Sequence, residues 1–215
     1  RVRVRLRPGC HGDAEPWIQH AFLRRGFHVA RHDVSYGIDL RPWADAEAYV
    51  DALRSPARRA LGHLLRDDAL VLEDVDDDDA FLEGWRVLER NRAEKARALA
   101  FDLDYALRLR AAFPGEVRML VLRHGAVACA AALVYRVRPR HEHVQYWGDY
   151  GHDLPRSPMN LLAFRVVEAA IAAGCVHLEL GPCIDGDGIG QGMVQFKRSI
   201  LARPDLRLEL EGRIG

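Results

Sequence analysis

Five glycines fall within the twelve residues from Gly181 to Gly192, after a short apolar run at Val176 to Leu180 and before an amphipathic segment that carries Lys197. Glycine loses more conformational freedom on ordering than any other residue, so this stretch reads as a loop between a strand and a helix. Such a loop frees backbone N–H groups, and the helix start adds partial positive charge, a combination that suits an anionic ligand. The spacing matches neither a Walker loop nor a GxGxxG fingerprint. Asp185-Gly186-Asp187-Gly188 also fails the calcium-loop pattern, because Ile189 and Phe196 stand where an oxygen ligand and a glutamate are required.

The 215-residue chain as a whole is ordinary in composition, 49% hydrophobic and 29% charged, which fits one large globular domain or two small ones. Thirty-one basic residues balance 31 acidic ones, so no global field points to DNA or an anionic membrane as a partner. Lys95 and Lys197 are the only lysines among them. No apolar run approaches the roughly 18 residues of a membrane span, and there is no signal-peptide pattern, so a cytoplasmic location is expected. Cys10, Cys129, Cys175 and Cys183 lack CxxC spacing and are expected as free or buried thiols. The first residue is arginine, and the chain is therefore expected to be a trimmed product with sequence missing upstream.

Arg1 to Arg7 alternates apolar and basic residues, which predicts a strand with a solvated basic face or, as the alternative, an anion-binding one. Asp13 or Glu15 then opens a helix with Trp17, Ile18, Ala21 and Phe22 on one face. Strand pieces follow at Phe27 to Arg31 and Ser35 to Leu40, then helices at Ala44 to Leu53 and after the Ser55-Pro56 cap, and a strand at Ala69 to Glu73. The acidic run Asp74 to Asp79 reads as the favourable start of a helix continuing to about Lys95, and a further helix ends at Pro114-Gly115. Val117 to Leu122, Val127 to Val137 and His143 to Tyr150 predict an antiparallel meander. A mostly buried helix at Leu161 to Ala173, the strand before the glycine loop, a helix over Gln191 to Leu201 and a strand at Leu206 to Leu210 complete the order.

Hairpin, third strand, long helix, strand, glycine loop, helix and last strand is the order of the GNAT acyltransferase core. Residues 36 to 215 resemble the Fem-like branch of that superfamily, which includes peptidoglycan aminoacyltransferases. The likeness rests on Tyr36-Gly37-Ile38-Asp39-Leu40, Arg58-Arg59, Asn91-Arg92-Ala93-Glu94-Lys95, Phe113-Pro114, Leu180-Gly181 and Gly192 followed by Phe196-Lys197. The resemblance implies an α/β fold with a GNAT-like mixed, twisted sheet flanked by helices. It also implies a partial GNAT-like lobe at residues 1–75 and a complete acyltransferase lobe at residues 76–215.

The activity implied is transfer of an acyl or aminoacyl group to an amine of a cell-envelope precursor or other small acceptor. The donor is aminoacyl-tRNA or acyl-coenzyme A, with no tightly bound cofactor and no metal. A coenzyme A-dependent N-acyltransferase and a non-catalytic binding or scaffolding module, with an oligomer among the arrangements left open, are the alternatives. The resemblance places Phe196-Lys197 at the reacting centre, with Lys197 stabilising the oxyanion. Arg58, Arg59, Lys95, Tyr146, Arg156, Gly190 and Gly192 are the candidate substrate-binding residues. Asp149, at the end of the third core strand, is a candidate to orient or deprotonate the acceptor amine, or else a turn aspartate. Pro155 and Pro158 remove N–H donors where a coenzyme A-dependent GNAT enzyme cradles pyrophosphate, which favours a tRNA-linked donor. His141, His143 and His152 show no clear metal spacing, and a thiol arrangement of Cys183, His177 and Asp185 is the weaker catalytic alternative.

Overall fold

The strands are β1 (Val2–Arg5), β2 (His28–Asp39), β3 (Leu70–Val75), β4 (Val117–His124), β5 (Val127–Arg138), β6 (His141–Asp149), β7 (His177–Pro182), β8 (Ile184–Asp185), β9 (Gly188–Ile189) and β10 (Arg203–Gly212). The helices are α1 (Glu15–Arg24), α2 (Ala46–Ala52), α3 (Ser55–Leu64), α4 (Asp78–Glu94), α5 (Leu103–Ala112), α6 (Met159–Ala172) and α7 (Gln191–Ser199). This is a computed structural model, and it describes residues 1–9, 12, 14–185 and 188–213. Cys10, the Asp13 helix start, Gly186 and Asp187 lie outside the described residues. Two units divide the chain: Arg1–Asp39 with Glu179–Gly215, and Leu40–Leu178. This division follows packing and is a separate matter from the family lobe boundary expected near residue 75.

In the continuous unit, β3, β4, β5 and β6 form the antiparallel meander, extended by β3 beyond the three strands expected. The register sets Met119, Leu133 and Tyr146 side by side, and Val121, Ala131 and Gly148 in the next row. This face packs on Phe81, Trp85 and Leu88 of α4, all fully buried, and each such side chain contributes roughly 1.5–3 kcal/mol. Leu120, Leu122, Ala130, Ala132 and Val134 point the other way and are also buried. Both faces of β4 and β5 are covered, so their sequences read as continuous apolar runs and not as alternation. Helix α6 packs on β5 and β6, with α2 and α3 against it, and is therefore apolar nearly all round.

Two glycines allow α4 to lie close to the sheet. A Cβ on Gly84 would stand 2.8 Å from Met119 Cγ and from Val121 Cγ2, and one on Gly148 would stand 2.4 Å from Asn91 Cγ. The acidic run has three different uses: Asp74 in β3 binds Arg118, Asp77 caps α4 by accepting from Ala80 N at 2.8 Å, and Asp78 binds Arg110. Ser55 is not the cap expected of it, since α3 is preceded by Arg54 and has no side-chain cap bond.

The other unit joins both ends of the chain. Antiparallel pairing runs β1 to β10 to β2, with Val4 opposite Leu210 and Asp33 opposite Arg207. The two strand pieces expected at 27–31 and 35–40 are one strand, irregular opposite Glu209 and Leu210. Leu6, Phe27 and Leu210 form the core with Ile18 and Phe22 of α1. Trp17 corrects the expectation for that helix: it is 74% exposed, because the buried stripe follows the four-residue spacing of Ile18 and Phe22, and Trp17 lies about 100° off it. The opposite sheet face is a charge ladder, in which Arg3 binds Glu211 at 2.8 Å and Asp33 is ringed by Arg5, Arg31 and Arg207 at 3.3–3.6 Å. The arginines of β1 thus meet carboxylates on the neighbouring strands.

Burial pushes the thiols of Cys129 and Cys175 from the ordinary 9.0 up to about 11. Above pH 9 the unfolded chain sheds these protons while the folded chain keeps them, so stability falls as pH rises through this window. Urea unfolding between pH 9 and 11 is expected to lose about 1.4 kcal/mol per pH unit for each thiol. Buried Tyr49 and half-buried Tyr135, also shifted upward, add to the fall, and replacing both cysteines by alanine reduces the slope. Gly148→Ala is expected to destabilise the fold by about 1–3 kcal/mol. Combined with Asn91→Ala it does so by less than the sum of the single changes, since the methyl then has room; denaturation of all three variants measures the coupling.

Candidate active site

Leu180, Gly181 and Pro182 end β7, and their three carbonyl oxygens converge on one ammonium. Lys197 Nζ donates to Leu180 O at 2.7 Å, Gly181 O at 2.8 Å and Pro182 O at 3.0 Å. Successive carbonyls of a strand point to alternate sides, so three in a row reach a single donor only where the chain turns. Gly181 supplies that turn with φ of +69°, a conformation open to glycine and strained for other residues. The lysine is 3% exposed, stands 5.8 Å from the Tyr36 ring centroid, and has the Cys183 thiol close enough to feel its charge. Burial pushes the Cys183 thiol up, and the Lys197 charge partly offsets this. A protonated, buried thiol is a poor nucleophile.

The glycine stretch is more ordered than a bare cradle. Strands β8 and β9 pair Ile184 with Ile189 and Asp185 with Gly188, and Gly190 N closes the loop on Cys183 O at 3.0 Å. Gly190 then precedes α7 as its cap residue, and Gly192 lies exposed in the first turn, where a Cβ would meet nothing. Phe196, half-buried, precedes Lys197 on this helix.

In the continuous unit a second group of polar residues gathers where β6 ends. Asp149 Oδ2 accepts from Ser157 Oγ at 2.7 Å and lies 3.3 Å from His152 Nε2, while Asp149 O accepts from Asn91 Nδ2 at 2.8 Å. Asp149 is half-buried and joined to side chains on both sides of its turn. Neither Asn91 nor Ser157 stands out in the sequence as a partner of Asp149. The available signal is that Asn91 continues the buried stripe of Phe81, Trp85 and Leu88 with a polar side chain, which in a core needs a hydrogen-bond partner.

Tyr146 is buried, its hydroxyl accepting from Ala100 N at 2.7 Å and its ring among Trp85, Phe101 and the Arg92 guanidinium. Of the pair Tyr146 and Trp147, Tyr146 therefore faces the core and Trp147 is half-buried on the other side. Lys95 is exposed at the end of α4 and Arg156 is exposed before α6. Arg58 and Arg59 are exposed on α3, with Arg58 donating to Asp51 O at 3.3 Å. A cavity of about 340 Å³ opens between α4 and the β4–β5 turn, lined by Arg86, Arg90, Val127, Tyr150 and Gly151, and Arg90 lies over the Tyr150 ring at 5.5 Å. A larger groove of about 730 Å³ runs beside α5, where Arg110 and Arg118 are bound by Asp78 and Asp74. His141 and His143 bond to Arg138 and Gln145, and among the described residues no three His, Cys, Asp or Glu side chains are grouped to hold a metal.

Among curated proteins no sequence matches the chain. Among solved structures, FemX superposes with a TM-score of 0.76 at 8% identity, covering 96% of this chain and 71% of that one. The C-terminal domain of an Agrobacterium fabrum protein described as a lysylphosphatidylglycerol synthetase superposes at 0.62 with 19% identity, covering 92% and 66%. L-PGS from Bacillus licheniformis does so at 0.61 with 11% identity, covering 91% and 65%. The chain thus spans about two thirds of the length of these proteins, and at such identities the likeness is one of fold. The family model described as acetyltransferase (GNAT) domain matches residues 51–198, well over half of the sequence. With its antiparallel meander, long buried helix, strand and closing α7 in the expected order, the chain belongs to the GNAT acetyltransferase-domain family and has the α/β fold found in its Fem-like branch.

Proposed function

We propose that the protein transfers an acyl or aminoacyl group to the amine of a cell-envelope precursor or another small acceptor. The observation that carries this reading is the burial of the Lys197 ammonium on the three carbonyls of a glycine turn. When an amine attacks an ester or thioester, negative charge collects on the carbonyl oxygen, and a fixed cation in a dry site stabilises that charge. An ammonium has three donors. A direct bond to the oxyanion therefore replaces one carbonyl, and Pro182 O, the most distant at 3.0 Å, is the one exchanged. Phe196 shapes the acyl pocket, and the Gly190 to Gly192 segment offers N–H groups at the start of α7.

Asp149 orients the amine. Arg58, Arg59, Lys95 and Arg156, all exposed, bind donor or acceptor phosphates. The FemX and lysylphosphatidylglycerol synthetase likenesses support an envelope acceptor and a tRNA-linked donor. Pro158, which has no N–H to offer at the start of α6, supports the same donor. A coenzyme A thioester is the second reading, favoured by the acetyltransferase description of the matching family.

Purified protein incubated with labelled aminoacyl-tRNA or acyl-coenzyme A and a panel of amines tests both. Consumption of one donor with formation of an amide is expected, and Lys197→Ala lowers kcat about 10²–10³-fold. Full turnover by that variant removes the lysine from the mechanism, and consumption of neither donor by a protein that forms a stable oligomer supports a scaffolding module instead. Arg58→Ala with Arg59→Ala is expected to raise KM for a phosphate-bearing substrate several-fold and leave kcat unchanged, as loss of uniform binding does.

A further inference from the structure

We infer that the cavity between α4 and the β4–β5 turn binds a small phosphomonoester whose body is an aromatic ring or a comparable apolar group, with Arg86 and Arg90 as the ligands of its phosphate. The site lies wholly within the Leu40–Leu178 unit and is independent of the acyl-transfer reading. Glu83, Arg86, Val87 and Arg90 follow one another at three- and four-residue intervals, so α4 presents them to the cavity as a single stripe. Val87 in this stripe is buried, and both arginines are exposed.

Two guanidiniums one turn apart repel each other, and a helix ordinarily relieves such charge with a carboxylate at that spacing. Helices α5 and α6 do so, pairing Arg108 with Asp104 and Arg165 with Glu168. On α4 the carboxylates within reach are already engaged. Glu83, the one carboxylate among the lining residues, receives Arg123 Nη2 at 2.6 Å, and Glu89 accepts from Trp85 Nε1 at 2.8 Å. Among the described residues neither Arg86 nor Arg90 has an ion-pair partner, so the lining keeps two unmatched positive charges. A phosphomonoester carries close to two negative charges at neutral pH, where a carboxylate carries one, and its oxygens accept from guanidinium forks.

The remaining walls suit the body of such a ligand. Arg90 lies over the Tyr150 ring at 5.5 Å, a contact that holds the cation beside the cavity without supplying an oxygen acceptor to its N–H donors. Tyr150 is itself tied to β5 by its N–H bond to Cys129 O at 3.0 Å. Gly151 then turns the chain with φ of +68°, and a Cβ there would have nothing within 4 Å, so the space beside the ring stays open. The hairpin side is apolar, made by Ala126, Val127 and Ala128, and Val127 is 53% exposed. An exposed apolar side chain beside two unmatched cations fits a ligand that is anionic at one end and apolar at the other. The volume of about 340 Å³ is at the small end of ligand pockets and accommodates a single ring bearing one phosphate.

The test follows the side-chain Nε–Hε signals of Arg86 and Arg90 in the ¹⁵N-labelled full chain during titration with phenyl phosphate, inorganic phosphate, acetate and a single-stranded oligonucleotide. Phenyl phosphate is expected to shift both signals along one saturating curve, about tenfold tighter than inorganic phosphate and tighter still than acetate. Arg86→Gln and Arg90→Gln are each expected to weaken the binding read at the other arginine about tenfold or more, whereas Arg108→Gln leaves it unaltered. The titration of the unaltered protein stands whether or not either variant folds. Lack of saturation by phenyl phosphate at either signal overturns the site. Equal binding of phenyl phosphate and acetate overturns the phosphate assignment, equal binding of phenyl phosphate and inorganic phosphate the apolar one, and tighter binding of the oligonucleotide the small-molecule one. No acyl donor enters the measurement, so failure here leaves acyl transfer standing, and loss of acyl transfer leaves the site standing.

Discussion

A buried ammonium needs compensation for the water it leaves, and Lys197 finds it in three backbone carbonyls that an ordinary strand does not bring together. The requirement propagates outward. Gly181 must adopt a left-handed conformation, β7 must end at Pro182, and α7 must start close enough for a lysine two turns in to reach back. The mini-hairpin of β8 and β9 is the connection that satisfies these conditions, closed by the bond from Gly190 N to Cys183 O. Because Leu180 and Gly181 lie at the end of a buried strand and the lysine on an amphipathic helix, the arrangement couples the packing of α7 to the position of one charge.

The end of β6 shows the same economy in a different chemistry. Asn91 is buried in α4, yet its amide is directed to the backbone of Asp149 and not to another side chain. A helix held close to a sheet by glycine at position 148 therefore also sets where the strand's last carboxylate stands. Core packing and polar positioning are one constraint at this point, since moving α4 outward by the width of a methyl group would release the aspartate.

Much of the architecture was legible before any coordinates. The meander, the apolar α6, the glycine loop and α7 follow from turn residues and hydrophobic spacing, because buried strands and amphipathic helices leave those patterns directly. What was misread lay where neighbours in space decide. Trp17 looked like part of a buried face because adjacent apolar residues blur a helical stripe, and β2 looked like two strands because His32 and Asp33 are polar, though they face Leu208 and Arg207 in a ladder whose irregularity lies at Glu209 and Leu210. The prominence of Lys197 was readable from its rarity. Its three carbonyl partners were not, since they depend on a backbone turn at Gly181 that composition alone suggests without specifying. The bonds that Ser157 and His152 make to Asp149 span eight and three residues of irregular chain, where no periodicity exists to read.

The unit built from both ends of the chain carries a consequence for how the protein comes into being. Arg3 and Glu211 are 208 residues apart in sequence and bonded in the fold. On a ribosome, β1 and β2 emerge well before the β10 that pairs with them, while the residues 40–178 have their own core available earlier. Joining such distant segments carries a loop-closure entropy that is lower once the intervening chain is already compact. The β1–β10–β2 pairing is therefore the part of the fold with the longest sequence separation, and contacts of that kind slow folding more than the local pairing of the meander does.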